Sequence, residues 1–483
     1  MPNAGALSLS AVQGDDADVD ESLRTHEADL LRELRRIGAR TPFVEALAQR
    51  SRGATVVVDS KSQSVTGAPR LAGVAFRAWA GTHWIESATF GLEGSGVAQA
   101  ADELLDRLSK DRSAGAPPGA SATGTLSFDT PPTRPMRDLG DEGALAWVKE
   151  TYRWIADETS IKFGQVALLW SEEERCYLNS AGANCFQRFD RVLANVFSVA
   201  VENGRSESYF QFVGQLGGQE ALGAITHETV HSMCEVARSL LRTKSPPSGR
   251  MNVILDPGVT STFVHESFGH GAEADQFLRN RSYLQPLLGQ TLGPESLTMV
   301  DDGTVQNGWG SLRFDDEGHP AQRTPLVEGG RFVGALHDRT TAAALGAKPT
   351  GNTRRADFLS QPYVRMTNTL IEPRDWSYDE LVEEARDGIV LERWQSGMED
   401  PLGGRMQLKV RAGHLIEHGK VTDLVATMVL SGSVLEFLRD IRGVGSAKDF
   451  EMGPGFCGKG HSDMLPVGGG GTYLLSRAVV GPA

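Results

Sequence analysis

Cysteine is scarce in this chain: four residues, Cys176, Cys185, Cys234 and Cys457, among 483. That is too few for a disulfide framework at this length, so a cysteine with a special task is a ligand or a nucleophile before it is half of a bridge. Basic charge is also in deficit. With a formal net charge of −14, the chain lacks the cationic surface that a phosphate backbone demands, which excludes nucleic acid as its main partner. Long apolar runs are missing. Nothing approaches the roughly 18 residues of a membrane helix, so no membrane partner is expected either. Residues 1–20 have neither a basic n-region nor an apolar h-region and read as a disordered leader, not a signal peptide. The expectation is a cytoplasmic protein in a reducing compartment.

What is present is the composition of a globular protein, with 40% hydrophobic and 23% charged residues. The length exceeds what one ordinary core organises, so more than one domain is expected. Leu23, Leu30, Leu31, Leu34, Ile37, Phe43, Val44 and Leu47 recur near helical spacing and predict an amphipathic helix over 20–52. A strand at 54–59, a hairpin at 73–80 and 82–89, and a helix at 97–108 follow. A Pro/Gly-rich loop spans about 114–137. Beyond it the pattern predicts a helix at 142–157, strands at 161–180 and 186–201, and one helix at 218–242. The breaker Lys244-Ser-Pro-Pro-Ser-Gly249 then marks a boundary. The reading is α+β: a mixed N-terminal domain at 21–247 and a β-rich C-terminal domain at 250–483. The latter carries a short helix near 376–388 and glycine-rich loops at 454–461 and 468–471.

Two histidine motifs compete. His227-Glu228-Thr229-Val230-His231 has the i, i+4 spacing that sets two imidazoles on one helical face, as zincins do. It also reads as an amphipathic helix with two histidines beside its apolar stripe, with Cys234 on the same side. The second motif, His265-Glu266-Ser267-Phe268-Gly269-His270, holds one residue more. On an ideal helix its histidines lie about 140° apart. They reach one metal only if the helix is bulged or ends there, which Gly269 and Gly271 permit. The other reading is a core helix with a capping histidine. Spacing alone does not choose.

The stretch from His265 to Asp275, His-Glu-Ser-Phe-Gly-His-Gly-Ala-Glu-Ala-Asp, resembles the signature of the TldD/PmbA (TldD/TldE) metallopeptidases. Val300-Asp-Asp-Gly-Thr304, Phe314-Asp-Asp-Glu-Gly318, Pro349-Thr-Gly-Asn-Thr-Arg-Arg355, Arg365-Met-Thr-Asn-Thr369 and Gly455-Phe-Cys-Gly-Lys459 look like further family blocks in order. The resemblance covers nearly all of 250–470. It implies metal ligands at His265, His270 and Cys457, with Glu266 as the catalytic carboxylate. The full set implies the active kind of subunit, a C-terminal metallopeptidase domain, and a dimer. That dimer is a heterodimer with a TldE/PmbA-like paralogue or a homodimer, with enclosed active sites.

Two imidazoles, one thiolate and an open position suit a catalytic zinc, one per active subunit, and disfavour Mg²⁺ and Ca²⁺. Glu266 beside the first ligand is placed to activate the attacking water. Glu273 and Asp275 are either surface charges or partners that orient a ligating imidazole. Arg354 and Arg355 pair with a substrate carboxylate or with carboxylates of the chain itself. Gly468–Gly471 lacks the Lys-Ser/Thr of a phosphate loop. The expected function is zinc-dependent hydrolysis of amide bonds in unfolded or small peptides, including a maturation step in making a peptide or peptide-like natural product. The alternatives are a non-catalytic partner subunit and a zincin built on His227, Glu228 and His231.

Overall fold

Pro42 ends the first periodic stretch early. Proline has no N–H to give a helix and its ring clashes with the preceding turn. The helix is therefore Glu27–Gly38, burying Leu30, Leu34 and Ile37. Phe43 follows the break, and Val44 and Leu47 belong to a sixteen-residue strand, Val44–Asp59. The expected helix at 20–52 is thus half helix and half strand. The computed structural model describes residues 22–483 except 69, 112–114, 116, 120–123, 130 and 460–461. The leader and part of the Pro/Gly-rich stretch lie outside the described residues.

The fold is α+β. Residues before 217 form one eight-stranded sheet. At its centre Val44–Asp59, Ile161–Asn179 and Asn184–Glu202 run antiparallel over long registers. The hairpin Leu71–Trp79 and Trp84–Phe90 flanks them, close to the hairpin expected at 73–80 and 82–89. Helices Glu27–Gly38 and Gly94–Lys110 pack with one apolar cluster, and Met136–Ala156 with another. The segment 218–242 is not one helix. A tight turn at Gln219–Ala224 stops it, and the Thr226 hydroxyl accepts from the Thr229 N–H at 3.2 Å to cap a new helix, His227–Leu240.

From 249 onward two larger sheets share one core. In the first, Gly249–Leu255, Gly388–Asp400, Arg405–Glu417, Met428–Ser433 and Leu474–Pro482 close into a ring of five paired strands. The second runs in the order Arg331–Phe332, Arg323–Glu328, Met299–Asp302, Asn368–Ile371, Ser462–Gly471, Glu451–Lys459. Its last two members correct the expectation of glycine-rich loops. Both stretches are ladder strands, Cys457 facing Leu465. The reason is a close neighbour: a Cβ on Gly469 would lie 2.1 Å from Ser261 Oγ, and one on Gly471 2.8 Å from Thr260 Cβ. Bare backbone lets the helix Pro257–Val264 settle onto this strand.

Buried ion pairs link the two parts of the chain. Arg77 bridges Glu45 and Glu317, Arg339 reaches Glu45 at 2.8 Å, and Arg175 holds Asp316 at 2.5 Å. Removing one member of such a pair strands a buried charge. No helix among the described residues is long and apolar enough to cross a membrane.

Candidate metal centre

Helix Pro257–Val264 starts where sequence rules place it, with Pro257 in the first turn and the Asp256 carboxylate accepting from the Val259 N–H at 2.7 Å. Phe263, Val264 and Phe268 carry it into the core at zero exposure. The helix then widens. The His270 N–H donates to the His265 carbonyl, five residues back, and His265–Gly269 forms a π turn before the tight turn His270–Ala272. A π turn takes up one residue more than an α turn, so a spacing of five returns to the same face. The rings of His265 and His270 come to 5.1 Å between centroids, nearly perpendicular at 83°.

Cys457 enters from the strand Glu451–Lys459, with Sγ 3.1 Å from His270 Nε2. The candidate ligand atoms of His265, His270 and Cys457 all lie within 4.8 Å of one another. Such a span suits three donors around one tetrahedral ion. Burial alone would push the Cys457 thiol up, but hydrogen bonds and charge from the two histidines outweigh it and hold it down at about 6. A thiolate is the ligating form.

Glu266 is half-buried beside His265 and packs against Gly397, where an added Cβ would meet Glu266 Cγ at 2.7 Å. Glu273 is wholly buried, its Oε2 3.5 Å from His270 Nδ1, 2.8 Å from Lys459 Nζ, and its Oε1 3.4 Å from Arg365 Nε. Burial opposes its ionisation, yet Lys459 first, then His270 and Arg365, hold the carboxyl well below the usual range. Asp275 takes the other side of Lys459 at 2.6 Å. The Arg365 guanidinium also donates to the Cys457 carbonyl at 2.7 Å. Of the two carboxylates singled out in the sequence, Glu273 therefore touches the histidine and Asp275 reaches the site only through Lys459. Lys459 and Arg365 sit in blocks already noted, but a lone Lys or Arg carries no sign of such a task.

The other candidates stand elsewhere. Arg355 pairs with Glu86 at 2.6 Å, while Arg354 donates to the Met366 carbonyl at 2.8 Å. His227 and His231 are exposed on their helix; His231 Nδ1 lies 2.5 Å from Glu158 Oε1, and His227 packs edge-on to Trp154. Cys234 is buried, its thiol pushed up to about 11 by burial. Among the described residues no third donor joins that pair.

The family model of the PmbA/TldA metallopeptidase C-terminal domain matches residues 248–478. A metalloprotease of Methanocaldococcus jannaschii is 34% identical over 345 residues, which is 71% of this chain and 75% of that protein. A protein of Saccharolobus solfataricus named a zinc metalloprotease TldD homolog is 32% identical over 235 residues, 48% of this chain and 52% of its own. The crystal structure of TldE from Thermococcus kodakarensis shares the fold, with a TM-score of 0.74 at 17% identity over 94% of this chain and 99% of that one.

Proposed function

This chain belongs to the TldD/PmbA family of metallopeptidases, and from that premise we propose that it is a zinc-dependent peptidase of the active, TldD-like kind. One observation carries the reading: His265, His270 and Cys457 converge within 4.8 Å, with Glu266 next in the chain to the first of them. The chemistry of the donor set fits the group. Two imidazoles and a thiolate favour zinc over hard cations and leave a fourth position open. A divalent ion there would lower the pKa of water and polarise the scissile carbonyl.

Each protein group then has a task. Glu266 takes the proton of the attacking water and returns it to the leaving amine. Glu273 accepts from His270 Nδ1 and fixes which ring nitrogen is free to ligate. Lys459 and Arg365 keep Glu273 ionised, and Arg365 steadies the backbone of Cys457. The strand Glu451–Lys459 is the last of its sheet and pairs with Ser462–Gly471 alone among the described residues, so an extended peptide has an edge to join beside the thiolate. Unfolded or small peptides, including a biosynthetic precursor, fit such an edge.

We read the chain as two units divided near 248, with the reaction in the second, working in the cytoplasm as a dimer with a TldE/PmbA-like paralogue or with itself. A non-catalytic partner role is disfavoured by the complete donor set. The test is direct: the zinc-loaded protein should carry about one zinc per chain and cleave unstructured peptides. Glu266→Ala should keep the zinc and lose cleavage. Cleavage that persists with the zinc in place overturns the mechanism.

A further inference from the structure

The strand Gly388–Asp400 brings one more carboxylate to the site. Both oxygens of Glu399 are buried, and neither has a hydrogen-bond partner among the described residues. Residues two apart on a strand share a face, so Glu399 rises from the same surface as Gly397, the glycine against Glu266. The charges that act on it belong to the centre: His270, Glu266, Glu273 and its neighbour Asp400. Burial first, and then the nearby carboxylates, push its carboxyl up to about 8 against the pull of His270.

An unpaired carboxylate is an expensive thing to bury. The other acids around the centre are provided for: Glu273 has Lys459 and Arg365, and Asp275 has Lys459. A divalent ion would be offset by one thiolate and Glu266. Glu399 is the acid left over: among the described residues only His270 draws it toward its charged form, and neither of its oxygens has a hydrogen-bond partner. Burial favours its neutral form, and a cation brought by the substrate would draw it into the charged one and supply the missing partner.

We propose that Glu399 receives the free α-ammonium group of the peptide, making the enzyme selective for the first bond of a chain with an unblocked amino terminus. This rests on the peptidase reading above. The choice of the terminus over a basic side chain follows from reach. An α-amine stands two bonds from the carbonyl of its own residue, whereas a lysine ammonium stands at the end of a four-carbon stem. A carboxylate on the surface that contacts Glu266 is at the shorter range. Glu399 is thus a specificity-determining residue that touches substrate and takes no part in proton transfer.

Binding tests this without turnover. Zinc-loaded Glu266→Ala protein is titrated calorimetrically with tetra-alanine, with N-acetyl-tetra-alanine, and with an N-acetyl peptide whose first residue is lysine. The free peptide should bind at least about tenfold more tightly than its acetylated form, since a buried charge pair commonly governs affinity to that degree. Adding Glu399→Gln, which keeps the shape and removes the charge, should erase the difference. Equal affinities, or a difference that survives Glu399→Gln, overturn the proposal. So does an acetylated lysine peptide that binds like free tetra-alanine, since the cation site would then serve a side chain. Cleavage assays of the unsubstituted protein report separately: no hydrolysis with the binding difference intact removes the peptidase reading and the choice of bond with it, and leaves only recognition of the ammonium group by Glu399.

Discussion

The two histidine pairs of this chain invite comparison, because among the described residues it is the less regular one that gathers a third donor. His227 and His231 lie on an ordinary helix at the spacing that places two imidazoles side by side, yet both face solvent, one bonded to Glu158 and one against Trp154. His265 and His270 are spaced wrongly for an α-helix, and the helix widens to suit them. The difference lies in what surrounds each pair. The second meets a thiolate and a buried carboxylate held by two cations; among the described residues no cluster of three donors forms around the first. Spacing makes a pair. Convergence makes a site.

The sharpest way to break this comparison is to remove the thiolate. Cys457→Ser should leave no stoichiometric zinc after dialysis, measured by elemental mass spectrometry, while His227→Ala combined with His231→Ala should leave zinc unchanged. The reverse outcome would move the site to the first pair. Next in size is Glu266→Gln, which should retain zinc and lower kcat/KM by about 10²–10⁴-fold, the usual worth of a positioned proton acceptor. Glu273→Gln should weaken zinc binding by about 10–100-fold in competition with a chromophoric chelator, as loss of an imidazole's partner does.

A pH test separates the cysteines. In the zinc-free protein the Cys457 thiol ionises at about 6, so its alkylation by iodoacetamide should rise about tenfold per pH unit up to that value and level off above 7. Cys176 and Cys234, pushed up by burial to about 12 and about 11, should stay unmodified throughout. Mapping the adducts by mass spectrometry checks this. The smallest effect expected is that of His231→Ala on stability. An exposed pair is worth about 0–1 kcal/mol, so the unfolding midpoint should move by a few degrees at most.

Both motifs and the distant cysteine were legible in the sequence, since a handful of residues with metal-binding chemistry stand out against any background. That the helix must bulge or end between His265 and His270 was legible too, from their spacing and from Gly269 and Gly271; which of the two it does was not. The choice is made by tertiary packing, through the buried Phe263 and Val264 before the turn and Phe268 within it. The strands at 451–459 and 462–471 were hidden for a related reason. Glycine disfavours a strand by itself, and only the helix lying on Gly469 and Gly471 explains why the backbone must be bare there. Pro42 is the opposite case: its signal was plain, but a run of apolar residues at helical spacing masked it. Glu399 and Lys459 gave no sign at all, because one charged residue among many acquires meaning only from its neighbours.

The proposed third donor stands 187 positions after His270, which would fix when the centre can exist. A ribosome adding about 5–20 residues per second needs about 10–40 s to travel from one to the other. Throughout that interval the emerging chain holds both imidazoles but not Cys457, while its own unfolded segments are at their most vulnerable to cleavage. Chains released short of residue 457 should be inert for the same reason. With the proposed ligands in this order along the polypeptide, activity would wait until Cys457 has been made.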